Sequence, residues 1–134
     1  MNLTSGKIVS INGNMVTVEV DGNIMQNEVA NILHGEQRLK SEVVRITHNR
    51  AFMQVFESTK GLKIGDDVEF SGELLAVQLG PGILGQIYDG LQNPLPQLAE
   101  AHGFFLPRGV FLNAVDFEKL WAFTPQATKG DVVS

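Results

Sequence analysis

Residues 7–20 read Lys7-Ile8-Val9-Ser10-Ile11-Asn12-Gly13-Asn14-Met15-Val16-Thr17-Val18-Glu19-Val20. Val16, Val18 and Val20 fall on one face and Thr17 and Glu19 on the other, and a period of two marks a half-buried strand. Asn12-Gly13-Asn14 separates this run from an earlier one, Thr4 to Ile11. Gly and Asn tolerate positive φ, so the break suits a tight hairpin. Asp21-Gly22-Asn23 is a second turn signal of the same kind.

Working outward, three more strands are predicted, Gln26 to Leu33, Leu39 to Thr47 and Ala51 to Phe56. His34-Gly35-Glu36 and His48-Asn49-Arg50 break them. Phe52, Met53 and Phe56 are most simply core. The run Gly61-Leu62-Lys63-Ile64-Gly65-Asp66-Asp67-Val68-Glu69-Phe70 frames a turn between two glycines and begins a last short strand at Asp67. Strands at regular spacing with turn residues between them point to an all-β barrel or sandwich. Closure into a barrel would also remove exposed edges.

The character changes near Ser71. Leu74 to Leu79 is a further apolar strand, stopped by Gly80-Pro81-Gly82. Gln86 to Leu91 and Leu95 to His102 are short helix candidates. Pro96 suits the first turn of the second, and Gly103 its C-terminal stop. Residues 104–134 hold Phe104, Phe105, Phe111, Phe117, Trp121 and Phe123 without a long periodic segment. Lys129-Gly130-Asp131-Val132-Val133-Ser134 reads as a strand just beginning, so truncation is expected.

The 134 residues allow one modest core, or one small domain and part of another. Net charge is −5, with seven Lys/Arg against nine Asp/Glu in residues 1–70 and three against six in residues 71–134. Neither half carries the clustered positive charge of a nucleic-acid or anionic-membrane surface, so neither partner is expected. Cysteine is absent, which excludes disulfides and thiol chemistry. No apolar run is long enough to span a bilayer, and the first residues lack a secretory h-region. A cytoplasmic location is the expectation.

Residues 80–95, Gly80-Pro81-Gly82-Ile83-Leu84-Gly85-Gln86-Ile87-Tyr88-Asp89-Gly90-Leu91-Gln92-Asn93-Pro94-Leu95, resemble the GPGILG-x-I-x-DG-x-Q-x-PL signature of the catalytic A subunits of V/A-type rotary ATPases. Phe105-Leu106-Pro107-Arg108-Gly109-Val110 is similar to the F-x-PRGV that follows it. Trp121-Ala122-Phe123-Thr124-Pro125 and Lys129-Gly130-Asp131 resemble the next two motifs. Gly6-Lys7-Ile8-Val9 and residues 61–66 sit where the family has its opening strand and its GL-x-x-GD turn. The match runs in order along nearly the whole chain, and residues 80–95 are its specific part.

The resemblance implies a mainly β fold: a small N-terminal β-barrel over residues 1–70, then a mixed, truncated segment. Residues 71–109 would be the connection and the first piece of the nucleotide-binding domain. Residues 110–134 would begin an inserted bulge domain. It further implies a parent that couples ATP hydrolysis or synthesis to proton or sodium transport. The parent's partners would be the B subunits of an alternating A/B ring and a central stalk, on the cytoplasmic side and peripheral to the membrane.

MgATP would belong to the parent. ATP chemistry needs a G-x-x-x-x-G-K-[ST] loop, and this sequence has none. Gly80-Pro81-Gly82-Ile83-Leu84-Gly85 fits G-x-G-x-x-G only superficially, because Pro81 and the lack of a following long helix suit a backbone crossing better. No catalytic, cofactor-binding or metal residue is therefore assigned, and the segment alone is expected to lack activity. His34, His48 and His102 lack metal-ligand spacing. Asp66-Asp67 would point to opposite sides of a strand and be solvated. Arg108, between Pro107 and Gly109 in a loop, is either an anion or neighbouring-subunit contact or, more commonly, a surface loop contact. The aromatics from Phe104 to Phe123 are either an interaction patch or core left partly uncovered.

A second function class remains in view, a free-standing barrel-type binding module of the translation-factor or ribosome-associated kind. A barrel fits both classes, since fold does not fix function. Residues 80–95 and 105–110 discriminate, because the second class gives no reason for them. Residues 110–134 are expected to be the least ordered, and an exposed apolar tail would favour self-association through an edge strand.

Overall fold

Six strands form, and their inward residues keep the period of two carried by the sequence: β1 Ser5–Asn12, β2 Met15–Asp21, β3 Glu28–His34, β4 Gln37–Thr47, β5 Arg50–Val55 and β6 Asp67–Leu74. The computed structural model describes residues 4–103, 105 and 107–132. The strands close into a barrel in the order β1-β2-β5-β4-β3-β6, with every neighbouring pair antiparallel. The mainly β class and the small barrel expected from the sequence are both present.

The barrel interior is one apolar cluster. Ile8, Val16, Val18, Ile32, Leu39, Val43, Met53, Val55, Val68 and Phe70 are all buried within it. Each such side chain contributes roughly 1.5–3 kcal/mol relative to exposure. Six strands curve tightly, and bulges supply the bend. Register shifts occur between Ile8 and Ser10, between Glu28 and Ala30, and between Val43 and Arg45. Ser41 is the buried polar exception on β4, and its hydroxyl donates to the Ala30 carbonyl at 2.9 Å.

The first turn forms as expected, with Asn12 opposite Met15 and Gly13 at φ +62°. The second does not make a hairpin. After Asp21 the chain crosses to β3, which pairs with β4 and β6. β2 pairs instead with β5. The crossover is held by Glu28, whose buried carboxylate accepts the Met25 N–H and the Gly72 N–H, both at 2.7 Å.

Phe52 corrects the expected core. Met53 points inward and is fully buried, so Phe52 faces out, where the Arg45 guanidinium lies 4.3 Å from its ring centroid. Adjacent strand residues take opposite faces, so both could not be core. Phe56 lies beyond β5 and is half-buried.

Past the barrel, α1 spans Leu95–His102, with Pro in its first turn and Gly103 at φ +78° at its C-terminus, as predicted. Leu98 is its buried residue. The helix expected at Gln86–Leu91 is absent. Tyr88 forms an antiparallel bridge with Pro94, and the Asp89 carboxylate bonds the local backbone, an alternative that short polar side chains offer against helix. The strand expected at Leu74–Leu79 ends at Leu74. Leu74 pairs with Glu28, the first residue of β3, so residues 75–79 have run past their partner strand, and apolar content alone does not make a strand. Residues 129–132 form a turn and irregular backbone rather than the start of a strand. Val133 and Ser134, like Phe104 and Leu106, lie outside the described residues.

Gly6 is the tightest point of the wall. A Cβ there would lie 2.6 Å from Val18 Cγ1 and 2.7 Å from the Glu19 carbonyl oxygen. Gly6→Ala should therefore lower stability by about 1–3 kcal/mol, as overpacking does, read as an earlier midpoint in urea unfolding. A midpoint equal to that of the unmodified chain would show that the wall has slack there.

Candidate functional site

The signature stretch and the Pro107-Arg108-Gly109 run meet against one side of the barrel. The stretch from Ile87 to Leu95 folds into a closed loop. Leu95 N–H donates to the Ile87 carbonyl at 3.0 Å, and Asp89 N–H to the Asn93 carbonyl at 3.0 Å. The Asp89 carboxylate fills the loop, accepting Leu91 N–H at 2.9 Å, Asn93 N–H at 2.8 Å and the Asn93 side-chain amide at 2.9 Å. Gln92 takes φ +63° within the loop.

Gln92 then does for Gln78 what a neighbouring strand would do. Its side-chain carbonyl accepts Gln78 N–H at 2.6 Å, and its side-chain N–H₂ donates to the Gln78 carbonyl at 2.7 Å. The Gln78 side chain passes the connection on, accepting Ala114 N–H at 2.8 Å and Val115 N–H at 3.2 Å. Asn93, almost wholly buried, accepts Leu112 N–H at 2.8 Å. Backbone polar groups without a ladder must find partners elsewhere, and here side chains supply them.

Arg108 sits in a loop, and its guanidinium is taken up by contacts within the chain. Its Nε and Nη2 donate to Gln37 Oε1 at 3.2 and 2.7 Å, and its Nη1 donates to the carbonyls of Ser58, at 2.8 Å, and Lys60. The next N–H, of Gly109, donates to the Glu57 carboxylate at 3.0 Å. A planar guanidinium can hold several acceptors at fixed angles, which an ammonium cannot. Between these two polar clusters lies a cleft of about 390 Å³, lined by Phe56, Asp89, Leu91, Leu98, Pro107 and Val110 among others. Among the described residues every buried side-chain nitrogen and oxygen has a partner. The arrangement is suited to joining segments of chain.

The other sequence candidates sit apart. His34 Nδ1 lies 3.1 Å from Asp66 Oδ2, His48 is in a turn at φ +54°, and His102 ends α1. Only Asp67 is solvated as expected, pairing with Lys7 at 2.7 Å; Asp66 precedes β6 and is largely covered, accepting Lys63 N–H at 2.8 Å beside His34. The Lys7–Asp67 pair is exposed on both sides and contributes roughly 0–1 kcal/mol. Gly80 to Gly85 contains a single 3-10 turn, Pro81–Ile83, and Gly80 and Gly82 lie under Val115 and Trp121. The run is a short turn packed beneath those two side chains. Phe105, Phe117 and Phe123 are exposed, while Phe111 packs under Lys40 at 4.7 Å.

Sequence reasoning missed Gln78, Gln37, Glu57, Asn93 and Glu28. Asn93 lay within the quoted signature, but nothing in the spacing of the other four linked them to their distant partners. Among the described residues no helix is long and apolar enough to cross a membrane.

Asp89→Ala should leave the Asn93 amide and two backbone N–H groups without an acceptor, costing the loop about 1–3 kcal/mol. Hydrogen exchange at Leu91 and Asn93 should quicken while barrel amides keep their protection. Unaltered exchange at both would show that Asp89 does not close this loop.

Comparison with known proteins agrees with this geometry. The model of the ATP synthase alpha/beta family, beta-barrel domain, matches residues 8–72. The V-type ATP synthase alpha chain of Treponema denticola is 56% identical over 133 residues, covering 99% of this chain and 23% of that protein. The one from Borrelia hermsii is 52% identical over 128 residues, 96% of this chain and 22% of that protein. V-type ATP synthase alpha chain 1 of Treponema pallidum is 51% identical over 133 residues, 99% of this chain and 23% of the relative. The chain thus spans less than a quarter of the length of the curated relatives it matches. The matched residues take in β2 to β5 whole and most of β1 and β6, and the chain belongs to the ATP synthase alpha/beta family, as a segment similar to the V-type alpha chain.

Proposed function

We propose that this chain is the N-terminal structural and assembly part of the catalytic subunit of a V-type ATP synthase. In this reading residues 1–70 form the barrel cap, residues 71–109 connect it to the nucleotide-binding domain, and residues 110–134 begin the inserted bulge domain. The parent binds MgATP through residues outside this segment and couples its hydrolysis or synthesis to proton or sodium movement. Its neighbours are the B subunits of an alternating ring and a central stalk, and it lies at the cytoplasmic side, peripheral to the membrane. The segment alone supplies no catalytic group and neither binds nor hydrolyses ATP appreciably.

One observation carries the reading. The polar loop of residues 78–95 and the Arg108 contacts are built from the very motifs that discriminate the two function classes considered, and the V-type relatives align along nearly all of the chain. The exposed apolar side chains beyond the barrel, such as Leu79, Leu84, Phe117 and Leu120, suit burial against further domains of the same subunit. A free-standing binding module gives no reason for the first of these features.

Two measurements test it. In the full-length subunit, removal of residues 1–74 should prevent assembly with B subunits in native mass spectrometry while MgATP binding by the remainder persists. Undiminished assembly would remove the cap role. Calorimetric titration of this chain with millimolar MgATP should give no binding heat, and micromolar affinity would overturn the division of labour.

A further inference from the structure

We propose that residues 107–115 are a strap that sets the orientation of the connecting segment on the barrel, with Arg108 as the positioning residue. The strap has no strand or helix of its own. Its backbone is fixed by side chains from two separate places. Glu57, at the end of β5, takes Gly109 N–H. Asn93 takes Leu112 N–H, and Gln78 takes Ala114 and Val115 N–H. One end is therefore tied to the barrel and the other to the loop of residues 78–93.

The site on the barrel is specific. β5 pairs with β4 from Ser41 to Thr47, so it leaves the start of β4 uncovered on that side. Gly109 lies against that start. A Cβ on it would be 3.2 Å from Arg38 N, 3.2 Å from Gln37 Cβ and 3.3 Å from Arg38 O, and its φ is +74°. The positive φ favours glycine here, and a Cβ would also crowd the β4 backbone. Arg108, one residue earlier, gathers the Gln37 side chain and the carbonyls of Ser58 and Lys60 around one guanidinium. Phe111 under Lys40 adds a third contact on the same strand.

The join is thus mostly hydrogen bonds, several of them charge-assisted, around a cleft of about 390 Å³ that side chains do not fill. A join of that kind holds one geometry while its bonds are made and loosens when the central donor is lost. An apolar interface would instead slide and repack. This inference concerns the chain's own mechanics and does not depend on the assembly role proposed above.

The chain has no cysteine, so two can be introduced and spin-labelled cleanly, at Gln54→Cys on the outer face of β5 and Glu100→Cys on α1. Pulsed electron paramagnetic resonance should give one narrow distance distribution. Arg108→Ala and Arg108→Lys should each broaden it roughly twofold and speed Gly109 amide exchange about tenfold, with barrel amides unchanged. Glu57→Gln keeps an acceptor for Gly109 N–H and should leave the width as it is, whereas Glu57→Ala should broaden it. Should Arg108→Ala fail to fold, the Glu57 pair decides the matter alone. A width that is unaffected by Arg108→Lys and Glu57→Ala, or a distribution already broad in the otherwise unmodified chain, would overturn the proposal.

Discussion

Closure of the barrel is the constraint on which the rest depends. The seam between β1 and β6 pairs only Ser5 to Lys7 with Glu69 to Asp67. Hydrogen bonds from outside the ladder extend it, Ile8 N–H to the Asp66 carbonyl, Gly65 N–H to the Ile8 carbonyl and Phe70 N–H to the Thr4 carbonyl. Gly6 lies in the middle of that seam, where the wall leaves no room for a side chain. An open sheet of this size would expose two edges and half of its apolar face. Closed, it buries a continuous cluster, and the chain that follows adds no strand to it.

That last consequence explains how the second half of the molecule is built. Residues 75–79 and 107–115 contain apolar side chains, but they join no ladder of the sheet. Their polar backbone groups are satisfied by Gln92, Gln78, Asn93 and Glu57 instead. A side-chain amide presents one donor and one acceptor side by side, as a strand residue does, so Gln92 can pair with both sides of Gln78. The order of this half therefore rests on a handful of long-range side-chain contacts.

For function, the division is informative. The barrel is self-contained, with nearly all its bonding internal. The segment beyond it is tied down on the barrel side and carries exposed apolar residues elsewhere. A chain so arranged makes a rigid base for something larger. The cap role proposed above calls for an arrangement of this kind.

Some of this was legible in the sequence because it is local. Alternation at Val16, Val18 and Val20 gave the strand and its inward face. Gly13 gave the hairpin, Pro96 and Gly103 gave the limits of α1, and the motifs of residues 80–95 gave the family. The partner of each strand was not local. Asp21-Gly22-Asn23 looks like Asn12-Gly13-Asn14, yet one crosses the barrel and the other folds back, and only the closed strand order decides between them. Phe52 and Met53 are both apolar neighbours, and the pleat sends one in and the other out beneath Arg45. Arg108 looked like a loop residue because its acceptors, on Gln37, Ser58 and Lys60, lie about 50 to 70 positions away. Short-range periodicity and turn chemistry act within a few residues and so are written in the sequence. Hydrogen bonds that join distant segments exist only once closure has brought those segments together.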